Sequence, residues 1–404
     1  MAGSPARAAI LYWDGGTANI AENGDSASAG GDGTWNSSIQ NWDQGAAPHV
    51  AWTNGNDAVL AGNAGYISLG AAISAASISL GNNNYVIATD SGSLTLTGGA
   101  TTTGNYHQIS GVSGLVVSGS QSFNITGGLR VSAVVSGTGT LTKAGSGMLS
   151  FSNSNNFSGK FVINEGRFGI NGDAALGVVP AFPVADSITV NGGTFANGIV
   201  SNAGGAFDNG GIFTLHPNRG VTLGSSGGTI QVGYGAGGRM SIAGVVSGDG
   251  RLTKTDGGEL ALYGANSYSG GTTISQGALS VGELVGGGST NEGSNNGLGT
   301  GDVVVEAQGQ LVLAGNNLTI PNNVTLNGAP NVNNRQGALV GGLQDGGSNN
   351  TLTGTLTLAG IGNHSLSTWW SDKTLTLAGP VTGPGTLGAV VSVGWAPPRA
   401  SSPW

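Results

Sequence analysis

An all-β fold, a right-handed parallel β-helix with an aromatic-rich N-terminal cap region, is what this sequence predicts, on three observations. Glycine supplies 79 of 404 residues while only 8% are charged. Short runs alternating apolar and small polar residues recur between clusters of Gly, Asn and Asp, the signature of short strands with sharp corners. A long unit occurs twice without a gap, and self-similarity at this scale marks repetitive architecture.

Each observation excludes rival classes. The glycines have no three-residue period and Pro numbers only 12, so collagen is ruled out. Heptads are missing, which removes the coiled coil. With 38% hydrophobic residues and a net charge of −8, the chain has apolar material to bury and too little charge to stay expanded. Twelve Lys and Arg in all leave no basic footprint for nucleic acid. The lack of Cys removes thiolate metal sites and disulfides, and no apolar run nears the ~18 residues of a membrane span, so no membrane insertion by this chain is expected.

Taken in order, residues 1–11, with Arg7 and a short Ala-Ala-Ile-Leu patch, form an unstructured leader too brief for a signal-peptide core. Residues 12–60 are the cap region, holding Trp13, Trp35, Trp42 and Trp52. An open β-helix end exposes strand edges and core, and bulky rings cover both; a sugar-stacking platform is the other use for these rings. Residues 61–389 form the body, with strands at Ser93 to Thr97, Val221 to Leu223, Thr229 to Val232, Val303 to Val305, Leu311 to Leu313, Val324 to Leu326 and Leu352 to Leu358. Trp369 and Trp370 are placed on an exposed loop. Residues 390–404, with Pro397, Pro398 and Pro403, are an off-pattern tail.

Val134 to Ile170 aligns with Val245 to Val281, about 15 of 37 positions being identical. The common frame reads S-G-x-G-x-L-T-K, then G-x-L, N-x-[FY]-S-G and I-x-x-G. A third copy starts at Val381 and breaks off after Leu387. Copies start at variable distances, which suits a solenoid, where each coil touches only its neighbours. At roughly 20–25 residues per coil, on the order of 15 coils form a rod about 70–80 Å long. Leu141 with Leu252, Leu149 with Leu260 and Ile163 with Ile274 are expected to be equivalent inward positions. The broken third copy leaves an open sheet edge, through which self-association is expected.

Gly139 to Lys143 (GTLTK), Asn155 to Gly159 and Asn266 to Gly270 resemble the autotransporter-associated β-strand repeat, also called the passenger-associated transport repeat. Tyr12-Trp13-Asp14-Gly15, Gly33-Thr34-Trp35, Asn41-Trp42 and Trp52 to Leu60 are similar to the openings of such proteins. The resemblance implies an exported bacterial passenger, with repeats that help it cross the outer membrane and fold. The β-barrel translocator or apolar sorting tail of a complete autotransporter is not found in the sequence.

Chemical sites are sparse. The densest acidic group, Asp249, Asp256 and Glu259, has Thr138, Gly145 and Met148 as counterparts in the first copy, so it reads as solvated surface. His49, His107, His216 and His364 lack metal spacing; His49 between Asp43 and Asp57 is the one triad-like hint, without a strained nucleophile turn. Gly30 to Gly33 lacks the continuation of a calcium-binding nonapeptide. The sequons at Asn124, Asn156 and Asn317 are expected by chance. No catalytic, cofactor or metal residue is assigned. The reading is a non-catalytic surface passenger segment with a structural or adhesive role, extracellular or on the bacterial cell surface, with a glycan or other surface partner. The alternative is a carbohydrate-active β-helix, a polysaccharide lyase, hydrolase or glycan-binding module.

Overall fold

The computed structural model describes residues 8–16, 18, 20, 23–82, 84–200, 207–209, 211–233, 237–282, 293–327, 331–332, 335–336, 339–340, 349–360, 363–368 and 373–391. Expectations for Arg7, Trp369, Trp370, Pro397, Pro398 and Pro403 lie outside these residues. The chain is 53% strand and 2% helix, and its strands pair in parallel with strands one coil away, as in a β-helix solenoid. It divides into two units, residues 1–224 and 225–404.

In the first unit successive coils add strands to parallel sheets, three of them through the middle coils. One stacks Asp57–Leu60, Ile73–Leu80, Leu94–Thr102, Gln121–Ile125, Thr140–Ala144, Lys160–Ile163, Val184–Val190 and Arg219–Leu223. A second stacks Tyr66–Leu69, Val86–Ala88, His107–Ser110, Gly128–Val131, Met148–Phe151, Arg167–Ile170 and Thr194–Val200. Leu115–Val117, Val135–Gly137 and Asn156–Phe157 continue the third. Because the stack repeats the same register, alternate side chains form columns: Leu129, Leu149, Phe168 and Phe195 lie over one another, each 0% exposed. Phe161, Phe168 and Phe195 stack at centroid spacings of 5.1 and 6.3 Å. Such columns remove apolar area from water and align ring faces, with offset ring pairs adding to the burial term.

The second unit repeats the plan. Gly228–Val232, Leu252–Thr255, Thr272–Val281, Val303–Leu313, Val324–Asn327, Leu356–Ala359 and Val381–Thr382 stack in parallel. Arg239–Ile242 and Glu259–Leu262 join the C-terminal parts of the two long strands in the next sheet. Thr319–Ile320, Asn350–Leu352 and Leu375–Leu377 make the third.

The equivalent pairs Leu141 and Leu252, Leu149 and Leu260, Ile163 and Ile274 are all at most 1% exposed, so the inward register expected from the repeat holds. The S-G step of each copy turns a corner: Gly137 and Gly248 have φ of 116° and 106°. A Cβ on Gly137 would meet the Val117 carbonyl at 2.0 Å, so glycine is required twice over, by conformation and by space.

Four expectations change. The run Leu352 to Leu358 is two strands, Asn350–Leu352 and Leu356–Ala359, because the chain turns at Gly354, where a Cβ would lie 2.1 Å from the Asn322 carbonyl. Val303 to Val305 and Leu311 to Leu313 belong to one strand, Val303–Leu313, whose match to the previous coil shifts between Ile274 and Gln276. Ile10 and Leu11 lie in a strand rather than an unstructured leader: Ile10–Trp13 pairs in parallel with Asp57–Leu60 and antiparallel with Gln40–Asp43. At the other end, Thr386–Val391 pairs in parallel with Asn363–Thr368, so the third copy continues past Leu387 as strand.

Candidate functional site

The repeat spends its polar signature residues inside the coil. Asn155, 7% exposed, accepts the Val135 N–H through Oδ1 at 2.8 Å and donates from Nδ2 to the Ala175 carbonyl at 2.7 Å, each 20 residues away. Asn266 does likewise with the Val246 N–H at 2.7 Å and the Gly297 carbonyl at 2.7 Å. One amide thus ties together three successive levels of the stack, satisfying backbone groups at a corner where the sheets are interrupted. Phe157 and Tyr268, two residues later, are buried, the Tyr268 hydroxyl meeting Thr272 Oγ1 at 2.7 Å.

The lysine of each L-T-K is buried as well. Lys143 stands in an inward column between Phe123 and Ile163, and Lys254 between Ile230 and Ile274. Both are at most 1% exposed. Lys143 Nζ donates to the carbonyls of Ala144, Gly145 and Glu165 at 2.7, 2.5 and 3.2 Å. Lys254 Nζ donates to those of Thr255, Asp256 and Gln276 at 2.8, 2.7 and 3.1 Å. In each case the stem lies among apolar residues and the ammonium closes a turn by bonding two of its carbonyls and one from the next coil. Burial pushes the Lys143 ammonium down to about 8 and Lys254 to about 7, since desolvation disfavours the charged form.

At the N-terminal end Trp13, Trp35, Trp42 and Trp52 are at most 2% exposed. Their rings meet at centroid distances of 4.8–5.1 Å. Buried against each other, they offer no open face for a sugar to stack on. Beside them the structure corrects the triad-like hint: Asp57 bonds Ser77 Oγ at 2.6 Å, and the carboxylates that meet His49 are Asp14 and Asp43. His49 Nε2 is 3.3 Å from Asp14 Oδ2 and 2.9 Å from Asn23 Oδ1. Asp14 Oδ1 accepts the Ala29 N–H, and Asp43 accepts those of Ser26 and Gly45. Burial raises Asp14 above the usual carboxylate range. Burial pushes Asp43 upward too, but its two backbone donors and the imidazole outweigh it and hold Asp43 below that range. Asp14 came into view in the sequence only as part of Tyr12-Trp13-Asp14-Gly15, since residues from separate strands carry no common spacing.

The acidic group of the second copy is not all surface. Asp249 is exposed, but Glu259 is buried and accepts from Ser280 Oγ at 2.5 Å, and Asp256 accepts from Gln231 Nε2 at 3.2 Å. The remaining histidines stay apart. His107 is buried against Tyr85 and pushed down to about 4 by desolvation. His216 accepts the Asn218 N–H, and His364 is buried.

One outward feature distinguishes the copies. Between Gly177 and Asp186 the first copy has eight residues, VVPAFPVA, where the second has two between Gly299 and Asp302. This loop carries Phe182 at 79% and Val178 at 53% exposure. It is fastened at its base, where Asn218 Nδ2 donates to the Pro180 carbonyl at 2.7 Å. Arg219 bonds the Gly177 carbonyl at 2.6 Å and Asp173 at 3.0 Å. The loop thus presents an aromatic side chain to solvent from an anchored base.

Residues 141–168 and 252–281 match the family model of the Passenger-associated-transport-repeat. The Adhesin BmaC autotransporter of Brucella suis biovar 1 (strain 1330) is 30% identical over 382 residues, 91% of this chain. The chain spans 9% of that relative's length. No solved structure matches the chain.

Proposed function

We propose, on the premise that this chain is a passenger-associated-transport-repeat protein, that it is a segment of an exported bacterial surface passenger. Its role is structural and adhesive rather than catalytic, and its place is outside the cell or on its surface. The observation that carries this reading is the placement of the repeat's signature residues. Asn155 and Asn266, Lys143 and Lys254 all make their bonds inside the coil stack. The repeats therefore serve coil-by-coil assembly, the property a passenger needs when it folds as it emerges, because each level can dock on the one before it. Contact with a partner is left to outward features, and the Val178 to Pro183 segment is the one we assign to it. The similarity to an adhesin supports a surface partner, a glycan or a surface protein.

The test is attachment and turnover. Beads bearing the purified chain are expected to hold to a glycan- or protein-coated surface, and to hold less when Phe182→Ser is introduced, while leaving a panel of polysaccharides uncut. Cleavage of any polysaccharide in the panel, or no attachment on any surface, overturns the reading.

A further inference from the structure

The cluster at the N-terminal end holds more negative charge than its surroundings offset. Asp14 and Asp43 place carboxylate oxygens within 4.8 Å of each other and of a His49 ring nitrogen. The Asp14 and His49 side chains are 4% and 0% exposed, and Asp43 is 0% exposed. Among the described residues, Asp14 thus has a second carboxylate, Asp43, and one imidazole, His49, beside it. Two desolvated carboxylates this close are costly unless one takes up a proton or a positive charge stands between them. A neutral imidazole supplies none, a protonated one supplies half of what the pair needs, and a dication supplies all of it.

The atoms left over point the same way. Asp14 Oδ2 is buried and accepts no hydrogen bond, although Asp14 Oδ1 and both Asp43 oxygens have backbone donors. It faces His49 Nε2 at 3.3 Å, close to the separation of two ligands on a tetrahedral ion with bonds of about 2.0–2.2 Å. Asn23, at φ 54°, brings Oδ1 to 2.9 Å from the same nitrogen. The backbone bonds fix the carboxylates in place, as outer partners do around a metal. An imidazole with three oxygen donors suits a first-row divalent ion such as zinc better than calcium or magnesium, which take oxygen alone.

We infer that Asp14, Asp43, His49 and Asn23 form a binding site for a zinc-type divalent cation, which pins the 23–31 segment to the strands Ile10–Trp13 and Gln40–Asp43. The ion neutralises the buried carboxylates and replaces the close approach of His49 to Asp14 by two metal bonds. Nothing in the surface role of the passenger requires this site, and its failure leaves that reading untouched.

The full chain, stripped with a chelator and titrated with zinc chloride by calorimetry, is expected to bind one equivalent, with a raised melting temperature. Zinc-edge X-ray absorption is expected to show one imidazole and otherwise oxygen neighbours. His49→Gln should abolish binding. Asn23→Ala, at an exposed position, should weaken it by at least about tenfold while leaving the circular dichroism unchanged. Absence of saturable zinc binding overturns the inference. So does zinc held without an imidazole neighbour, or with unchanged affinity in the folded Asn23→Ala and His49→Gln variants.

Discussion

The side chain of Asn155 accepts the backbone N–H of Val135, 20 residues earlier and one coil away, at 2.8 Å. Asn266 makes the same bond to Val246 in the second copy. Removing the amide leaves a buried N–H and a buried carbonyl unpaired. Asn155→Ala and Asn266→Ala are each expected to lower stability by about 1–3 kcal/mol, measured by urea unfolding. Asn155→Asp is expected to fail in the same range, because the carboxylate keeps the acceptor but has no donor for the Ala175 carbonyl.

The buried lysines give the protein a pH dependence of definite sign. Both ammonium groups lie below their ordinary value when folded, at about 8 for Lys143 and about 7 for Lys254. Between those values and the unfolded pKa near 10.5, the unfolded chain therefore binds more protons. Stability should rise with pH across the window from about 7 to about 10.5, by up to about 1.4 kcal/mol per pH unit for each lysine. Melting temperature followed across that window checks it. Lys143→Met with Lys254→Met should flatten the slope and, by leaving turn carbonyls such as that of Gly145 without a donor, lower stability throughout.

In the apolar columns the cost is that of a cavity. Phe168 is fully buried between Phe151, Phe161 and Phe195, and Phe168→Ala is expected to cost about 3–5 kcal/mol; Leu141→Ala and Leu252→Ala should cost about 2–5 kcal/mol. Chemical denaturation of each variant gives the comparison.

Phe182 should behave oppositely. At 79% exposure its replacement by Ser is expected to change stability by no more than about 0.5 kcal/mol, while reducing attachment. A shift in melting temperature comparable to that of Phe168→Ala would show that the loop serves the fold.

Much of this architecture was legible in the sequence, for physical reasons. Strand alternation has a period of two and the repeat fixes its phase, so the sequence alone places Leu149 and Leu260 inside. The recurrence of Gly between strand-like runs marks corners in general, and Gly137 and Gly248 of the S-G step occupy two of them at positive φ. What stayed hidden was polar burial. Lys143 and Lys254 alternate as inward residues in L-T-K, but a lysine reads as surface until carbonyls from the next coil are seen to surround it. Glu259 misled for the same reason, its partner Ser280 lying one coil on. Asp14 comes beside Asp43 through antiparallel pairing of Ile10–Trp13 with Gln40–Asp43, and His49 joins them because Val50 pairs with Trp42, contacts that no spacing encodes. The corner at Gly354 went unseen because the residues around it alternate like a strand.

The most direct test of the central claim, that the repeat's asparagines hold successive coils together, is amide hydrogen exchange at Val135 and Val246. Both N–H groups are expected among the slowly exchanging core amides, and Asn155→Ala should speed exchange at Val135 while leaving Val246 slow. Loop-like exchange at both amides in the unmodified chain, or exchange at Val135 indifferent to Asn155→Ala, would contradict it.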